Sequence, residues 1–293
     1  MTPTTADWIA GARPRTLWTG ATPVLVGSAS ALLLGSFRPL LAFLALGVAL
    51  ALQVGSNYAN DYSDGVRGTD VDRIGPTRLV ASGKAAPSSV KLAAYLAFAV
   101  AAVLGLLLVM LSGVWWLLAV GVVAIVAAWT YTGSDRPYGY DGWGEVSVFI
   151  FFGPVATLGT LLTQAGEVTW WAAVASAGLG LYAVALLLVN NIRDLETDLF
   201  AGKRTLPVKI GEARARQLFA ACVTLPVGCS ILIAFAHPWV LISTVVALPS
   251  VIIALGMRMG AAGRGNFAVM FAGISGVGLA YGLLLALGLA FSS

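Results

Sequence analysis

Two clusters of acidic and amide side chains lie far apart in the sequence but share the spacing Asn-x-x-x-Asp. The clusters comprise Asn57, Asp61 and Asp64 in the first half, and Asn190, Asp194 and Asp198 in the second. If each cluster lies on a helix, residues three and four positions apart share one face, so their oxygens point the same way. Carboxylate and amide oxygens without nitrogen or sulfur ligands suit a hard cation, most naturally Mg²⁺. The spacing therefore predicts a magnesium site.

Basic residues close to both clusters indicate the charge of the substrate that would bind together with such a metal. Arg67 and Arg78 follow the first cluster, while Lys203 and Arg204 follow the second. Protein-bound Mg²⁺ is usually held by one or two carboxylates, with substrate phosphates completing its octahedron. Arginine adds bidentate contacts to phosphate oxygens. We therefore predict a site for a diphosphate.

A simpler interpretation is that these aspartates are solvated helix ends. It explains the pair of clusters poorly, because the dipole at a helix C-terminus disfavours a carboxylate by about 0.3–1 kcal/mol. Several carboxylates on one face also repel one another, so a bound cation accounts better for the arrangement.

Composition indicates which elements carry these residues. Of the 293 residues, 59% are hydrophobic and 10% are charged, whereas soluble domains contain about 25% charged residues. A water-soluble enzyme is excluded, and a formal charge of +4 provides no surface for nucleic acid. Apolar runs long enough to cross a bilayer predict an all-α, polytopic membrane protein in which residues 1–293 form one domain. The nine predicted spans are 16–35, 39–57, 90–112, 113–132, 145–164, 168–190, 215–236, 238–257 and 266–291.

The charges also predict an orientation. Sixteen of the 17 lysines and arginines fall in the N-terminal segment or in loops on the same side, and Arg38 is the exception. By the positive-inside rule, these segments are cytoplasmic. We expect a multi-pass protein of the plasma membrane with its N-terminus and active site facing the cytoplasm.

Several strings of residues carry a resemblance to a known family. They are Ala12 to Leu17, Asn57 to Asp64, Asp72 to Arg78, Pro137 to Tyr140, Asn190 to Asp194, and Gly202 to Leu206. In these strings the sequence resembles the UbiA superfamily of intramembrane prenyltransferases, and within it the bacterial branch that acts on 1,4-dihydroxy-2-naphthoate. Similar motifs at 57–80 and 190–208 also suggest an internal duplication.

The resemblance implies an activity: transfer of a polyprenyl group from polyprenyl diphosphate to 1,4-dihydroxy-2-naphthoate, with loss of diphosphate and CO₂, to give demethylmenaquinone. Asp61, Asp64, Asp194 and Asp198 would be catalytic and would hold Mg²⁺ with Asn57 and Asn190. Candidates for the acceptor end are Arg13, Arg15, Tyr131, Tyr138 and Tyr140. Where the superfamily often has a third aspartate, position 68 is glycine, so the resemblance makes Asp70 a secondary contact.

Three alternatives remain at this point. Another aromatic acceptor, such as 4-hydroxybenzoate or homogentisate, is compatible with the motifs. A phosphotransferase using a cytidine-diphosphate donor matches Asp61-x-x-Asp64-Gly65 but not the residues that follow. A cation transporter would place its carboxylates near the bilayer midplane, whereas these lie at the ends of the predicted spans.

Overall fold

The computed structural model describes residues 3–68, 78–260 and 266–293, and its regular structure in these ranges is helical. Asp70, most of the string 72–78 and Arg264 lie outside the described residues. We number the helices α1 Thr5–Gly11, α2 Trp18–Leu33, α3 Pro39–Arg67, α4 Pro87–Ser112, α5 Leu117–Thr130, α6 Gly144–Ala165, α7 Trp170–Arg193, α8 Leu195–Phe200, α9 Leu206–Ile210, α10 Glu212–Ala234, α11 Pro238–Arg258 and α12 Phe267–Ala290.

The membrane spans agree with the predicted order, although their number is approximate. In the described part of the chain, seven helices are long and apolar enough to cross a bilayer. An eighth span results if Thr5–Thr16 and Trp18–Leu33, bent by 52°, are counted together. The remaining predicted span corresponds to α5, which has only 14 residues because its predicted ends form turns. The chain is a multi-pass membrane protein.

Helix α7 forms the centre of the bundle. Of its most apolar window, 72% is buried inside the protein, against 22–33% for the other long spans. Its residues Leu179, Tyr182 and Leu188 are almost fully buried, in one core with Phe219 of α10 and Tyr281 of α12. The central position of α7 fixes the place of its polar C-terminal end.

Helix α6 changes its winding where it passes α7. Residues Phe151–Val155 form a π-helical turn that contains Pro154, whose missing N–H interrupts the regular hydrogen-bond ladder. Gly153 in this turn lies so close to α7 that an added Cβ would come within 2.6 Å of the Ser176 carbonyl oxygen. The two helices are therefore in direct backbone contact.

The two polar clusters end helices α3 and α7. Helix α3 continues through the first cluster to Gly68, whose left-handed conformation (φ 71°) closes the helix. Helix α7 ends at Arg193, so Asp194 is its C-cap, and the chain restarts as α8. The condition that one continuous helix carries each cluster is therefore not met by the second cluster, because the chain breaks at Asp194.

Candidate active site

Two cavities meet between the ends of α3 and α7. The smaller has a volume of about 110 Å³ and is lined mainly by polar and charged side chains, and the larger is an apolar chamber of about 450 Å³. Five residues line both: Arg13, Asn60, Tyr131, Leu187 and Asn190. A charged head group and an apolar chain can therefore occupy adjoining spaces.

Asp64 lies on the wall of the polar cavity and is almost fully buried. It accepts hydrogen bonds from the Tyr140 hydroxyl and, at 3.2 Å, from Lys203 Nζ. An Arg78 guanidinium nitrogen lies 3.8 Å from its other oxygen. Burial of a charge is tolerated where it is paired and hydrogen-bonded, and both conditions hold for this carboxylate.

Asp194 and Asp198 line the same cavity from the end of α7 and from α8. Arg193 donates two hydrogen bonds to Asp194, each 2.7 Å long. Asp198 is buried and accepts a weak 3.5 Å hydrogen bond from the Thr205 hydroxyl. Lys203 Nζ lies 3.9 Å from Asp198, so this ammonium group stands between the two acidic clusters.

Asn57 and Asp61, both in the predicted metal set, do not line the polar cavity. Both oxygens of Asp61 accept backbone hydrogen bonds, from Leu79 at 2.9 Å and from Val80 at 3.0 Å. The amide nitrogen of Asn57 donates to the Ala12 carbonyl at 2.9 Å. These side chains fasten neighbouring segments to α3. Asn57 lines the apolar chamber, and Asp61 lines neither cavity.

Two of the four predicted phosphate-binding residues line the polar cavity and two do not. Arg78 and Lys203 line the polar cavity, whereas Arg67 and Arg204 do not. The Arg67 guanidinium donates to the carbonyl oxygens of Thr132 and Ser134, and the backbone nitrogen of Arg204 donates to the Tyr140 carbonyl. Arg67 and Arg204 are exposed residues that do not line the cavity, and their predicted role stays a prediction.

The three tyrosines have different positions. Tyr131 lines both cavities, Tyr140 lines only the polar one, and Tyr138 lines only the chamber. Burial raises the pKa of Tyr131 well above its usual value, and the nearby Glu145 carboxylate raises it further. Burial also raises the pKa of Tyr138, whose hydroxyl donates to the Ala127 carbonyl at 2.9 Å. Each phenol therefore keeps its proton at neutral pH.

Arg13 lies where the cavities meet, whereas Arg15 is exposed and lines neither. Among the described residues, Arg13 is the one non-glycine residue with positive φ, at 53°. Such strain costs on the order of 1–3 kcal/mol and is found at functional sites. Its Nη2 atom is buried and has no hydrogen-bond partner within the described ranges. Arg13 thus presents an available donor to the junction.

Sequence reasoning missed two asparagines that line the polar cavity, Asn60 and Asn191. Asn60 accepts a 2.8 Å hydrogen bond from the Thr132 hydroxyl. A signal for it was present, since Asn60 and Asp64 repeat the spacing of Asn190 and Asp194. The matching motifs are therefore shifted by three residues from the predicted alignment of Asn57 with Asn190.

The donor atoms of this cavity fit a hard divalent cation. They are carboxylate oxygens of Asp64, Asp194 and Asp198, together with asparagine side chains, and oxygen donors are those that Mg²⁺ prefers. Within the described ranges, no three acidic, histidine or cysteine side chains form a compact metal-binding group. Each of the three carboxylates instead pairs with a basic side chain.

Comparison with known proteins places this geometry in context. A model of the UbiA prenyltransferase family matches residues 21–266. A 1,4-dihydroxy-2-naphthoate octaprenyltransferase of Mycobacterium tuberculosis is 46% identical over 260 residues, which cover 88% of each chain. One from Escherichia coli is 39% identical over 227 residues, covering 75% of this chain and 73% of that relative.

Solved structures give the same fold. A UbiA homolog from Archaeoglobus fulgidus, bound to GPP and Mg²⁺, has a TM-score of 0.64 at 15% identity, covering 95% of this chain and 99% of that one. A homolog from Aeropyrum pernix has a TM-score of 0.67 at 17% identity, covering 92% and 96%.

Proposed function

The chain belongs to the UbiA prenyltransferase family, and from this membership we propose that it transfers a polyprenyl group from polyprenyl diphosphate to 1,4-dihydroxy-2-naphthoate. The identity of 46% to a relative named for this acceptor, over 88% of both chains, supports the assignment. The C–O bond to diphosphate breaks, and a C–C bond forms at the ring carbon that bears the carboxylate. CO₂ leaves, and the product is demethylmenaquinone in its reduced form.

The observation that carries this proposal is the junction of the two cavities. The reaction needs a charged diphosphate and an apolar chain in adjoining spaces, with the scissile bond between them. The polar cavity and the apolar chamber share residues from the N-terminal segment, α3 and α7. We assign the diphosphate to the former and the first isoprene units to the latter.

We assign Mg²⁺ to the oxygen donors of Asp64, Asp194 and Asp198, with Asn190 as a further ligand. When bound, the ion supplies positive charge that stabilises the departing diphosphate. Lys203 and Arg78, which contact Asp64, bind the phosphate oxygens from the side. Donors fixed in place before the charge develops are worth most in a buried site.

The residues at the junction serve the carbon chemistry. The allylic carbon gains positive charge as the C–O bond breaks, and the Tyr131 ring stabilises that charge through its π-face. The Arg13 guanidinium, with its buried Nη2, binds the acceptor carboxylate. Release of CO₂ returns an electron pair to the ring, so no ring proton has to be removed. Neutral Tyr131 and Tyr138 are consistent with this.

We place the polar cavity on the cytoplasmic side of the plasma membrane. The basic residues Arg13, Arg78 and Lys203 line this cavity, and lysines and arginines concentrate on the cytoplasmic side under the positive-inside rule. Arg15→Cys, in protein whose Cys222 and Cys229 are replaced by alanine, should react with impermeant maleimide in inverted vesicles but not in intact cells. The opposite pattern would reverse the orientation.

The function is tested with purified protein, farnesyl diphosphate and three acceptors supplied separately: 1,4-dihydroxy-2-naphthoate, 4-hydroxybenzoate and homogentisate. We expect a product from the naphthoate whose mass corresponds to loss of CO₂, formed with Mg²⁺ and absent with chelator. A product from one of the other acceptors alone would reassign the substrate. No product from any acceptor, with protein that is folded, would contradict the function.

A further inference from the structure

Asn190 and Asn191 are adjacent at the end of α7, and both side chains line the polar cavity. An amide offers one oxygen acceptor and one nitrogen donor group. If the amide nitrogen is hydrogen-bonded elsewhere in the protein, the amide oxygen is the group available to the cavity. The Asn190 nitrogen donates to the Leu186 carbonyl one helical turn earlier, at 3.2 Å. This bond turns the nitrogen toward the helix and leaves the oxygen for the cavity.

The Asn191 nitrogen is engaged differently. It donates at 2.9 Å to Oε1 of Glu145, the second residue of α6. Because Oε1 of Glu145 accepts from the amide nitrogen, the amide oxygen points away from Glu145. Both asparagines would then present oxygens to the cavity, although their donors are held by different elements.

Glu145 is an unusual residue at this position. It is 5% exposed, it lines neither cavity, and its Oε2 has no hydrogen-bond partner among the described residues. Burying a carboxylate that is only partly hydrogen-bonded is costly. A place in the first turn of a helix offsets part of this cost through the helix dipole. That placement alone does not require a contact with Asn191.

We propose that Glu145 is a positioning residue that holds the Asn191 amide with its oxygen toward the polar cavity, where that oxygen adds a ligand for the divalent cation. The inference rests on the proposed function. It assigns roles to Glu145 and Asn191, neither of which is among the predicted metal ligands. Groups that orient a metal ligand affect metal affinity by about 10–100-fold. Glu145 should therefore influence metal binding through Asn191, without contacting the metal itself.

The test measures Mn²⁺ affinity by electron paramagnetic resonance, with farnesyl thiolodiphosphate bound as an unreactive probe. We expect Glu145→Leu, which removes the acceptor, and Asn191→Ala each to weaken Mn²⁺ binding by about tenfold. The Glu145→Leu/Asn191→Ala double variant should be no weaker than Asn191→Ala alone, because residues that act through one contact are not additive. Effects that multiply, or a Glu145→Leu protein with wild-type affinity, would overturn the inference.

A compensating pair keeps the test independent of folding. In Asn191→Asp, two carboxylates face each other, and we expect Mn²⁺ binding to fall. In Glu145→Gln/Asn191→Asp, the new amide at position 145 can donate to the new carboxylate at position 191, which restores the contact with reversed polarity. We expect Mn²⁺ affinity to return to within about threefold of wild type, whereas a role in the helix dipole alone predicts no recovery.

The outcomes separate this inference from the function. If wild-type protein forms the prenylated naphthoate while all the variants bind Mn²⁺ equally, the role of Glu145 is rejected and the function stands. If wild-type protein forms no product but the variants differ in Mn²⁺ affinity as expected, the function is rejected and the positioning role stands.

Discussion

Lys203 Nζ lies 3.2 Å from Asp64 Oδ1, which joins two residues 139 positions apart in the sequence. The same ammonium group is 3.9 Å from Asp198 and 4.4 Å from the centre of the Tyr140 ring. Lys203 thus connects the end of α3 with α8. A positive charge at this point reduces the repulsion between the two acidic clusters, and it lies where we assign the diphosphate.

We expect Lys203→Met to lower kcat/KM for prenyl transfer by about 10²–10³-fold, the usual cost of removing one fixed donor to a developing negative charge. Lys203→Arg should keep part of the activity. Lys209→Met is the matched control, because Lys209 pairs with Asp141 outside the cavity. Steady-state kinetics on the three variants checks this, and equal losses in Lys203→Met and Lys209→Met would contradict the role.

Asp61 and Asp64 should respond differently to the same change. Asp61→Asn weakens the hydrogen bonds to Leu79 and Val80, so we expect a loss of stability of about 1.5–3 kcal/mol with an unchanged Mg²⁺ requirement. Asp64→Asn should stay folded but need more Mg²⁺ and lose at least 100-fold in activity. Thermal unfolding and Mg²⁺ titration of activity separate the two. If Asp61→Asn shifts the Mg²⁺ titration as strongly as Asp64→Asn does, our division of the motif is wrong.

The chamber predicts a chain-length effect. Gly159 lines it, and a Cβ added there meets no atom within 4 Å. Gly159→Leu should therefore fold and project into the space assigned to the prenyl chain, lowering kcat/KM for octaprenyl diphosphate more than for geranyl diphosphate. Gly228→Leu is a suitable control, since Gly228 is equally uncrowded but lines neither cavity. If Gly159→Leu keeps the wild-type ratio of kcat/KM for octaprenyl and geranyl diphosphate, the prenyl chain does not bind in this chamber.

Ionisation of the Tyr131 phenol should not contribute to the pH dependence of kcat/KM. Because burial raises the pKa of this phenol well above its usual value of about 10, it stays protonated as the pH rises from 6 to 9.5. Tyr131→Phe should change the rate without changing the shape of kcat/KM against pH. A basic limb present in wild type and lost in Tyr131→Phe would show that the phenol ionises during turnover.

Much of the fold could be predicted from sequence, since apolar runs and basic loops respond directly to the bilayer. The polar ends were harder to predict. Spacing placed Asp61 beside Asp64 on one helix, but it could not show that the Asp61 oxygens are taken by the backbone of Leu79 and Val80. Sequence also could not show that the Arg67 guanidinium donates to the carbonyl oxygens of Thr132 and Ser134, which are distant in sequence. Asn60 could have been found, since it shares the motif spacing.

The central claim is that a divalent cation binds where the ends of α3 and α7 meet, between Asp64, Asp194 and Asp198. Anomalous scattering from Mn²⁺, in crystals of the protein with farnesyl thiolodiphosphate, tests it most directly. We predict a peak within coordination distance of at least two of these carboxylates, with the thiolodiphosphate beside Lys203. A peak bound by Asn57 and Asp61, or one on the opposite face of the membrane, would contradict the account.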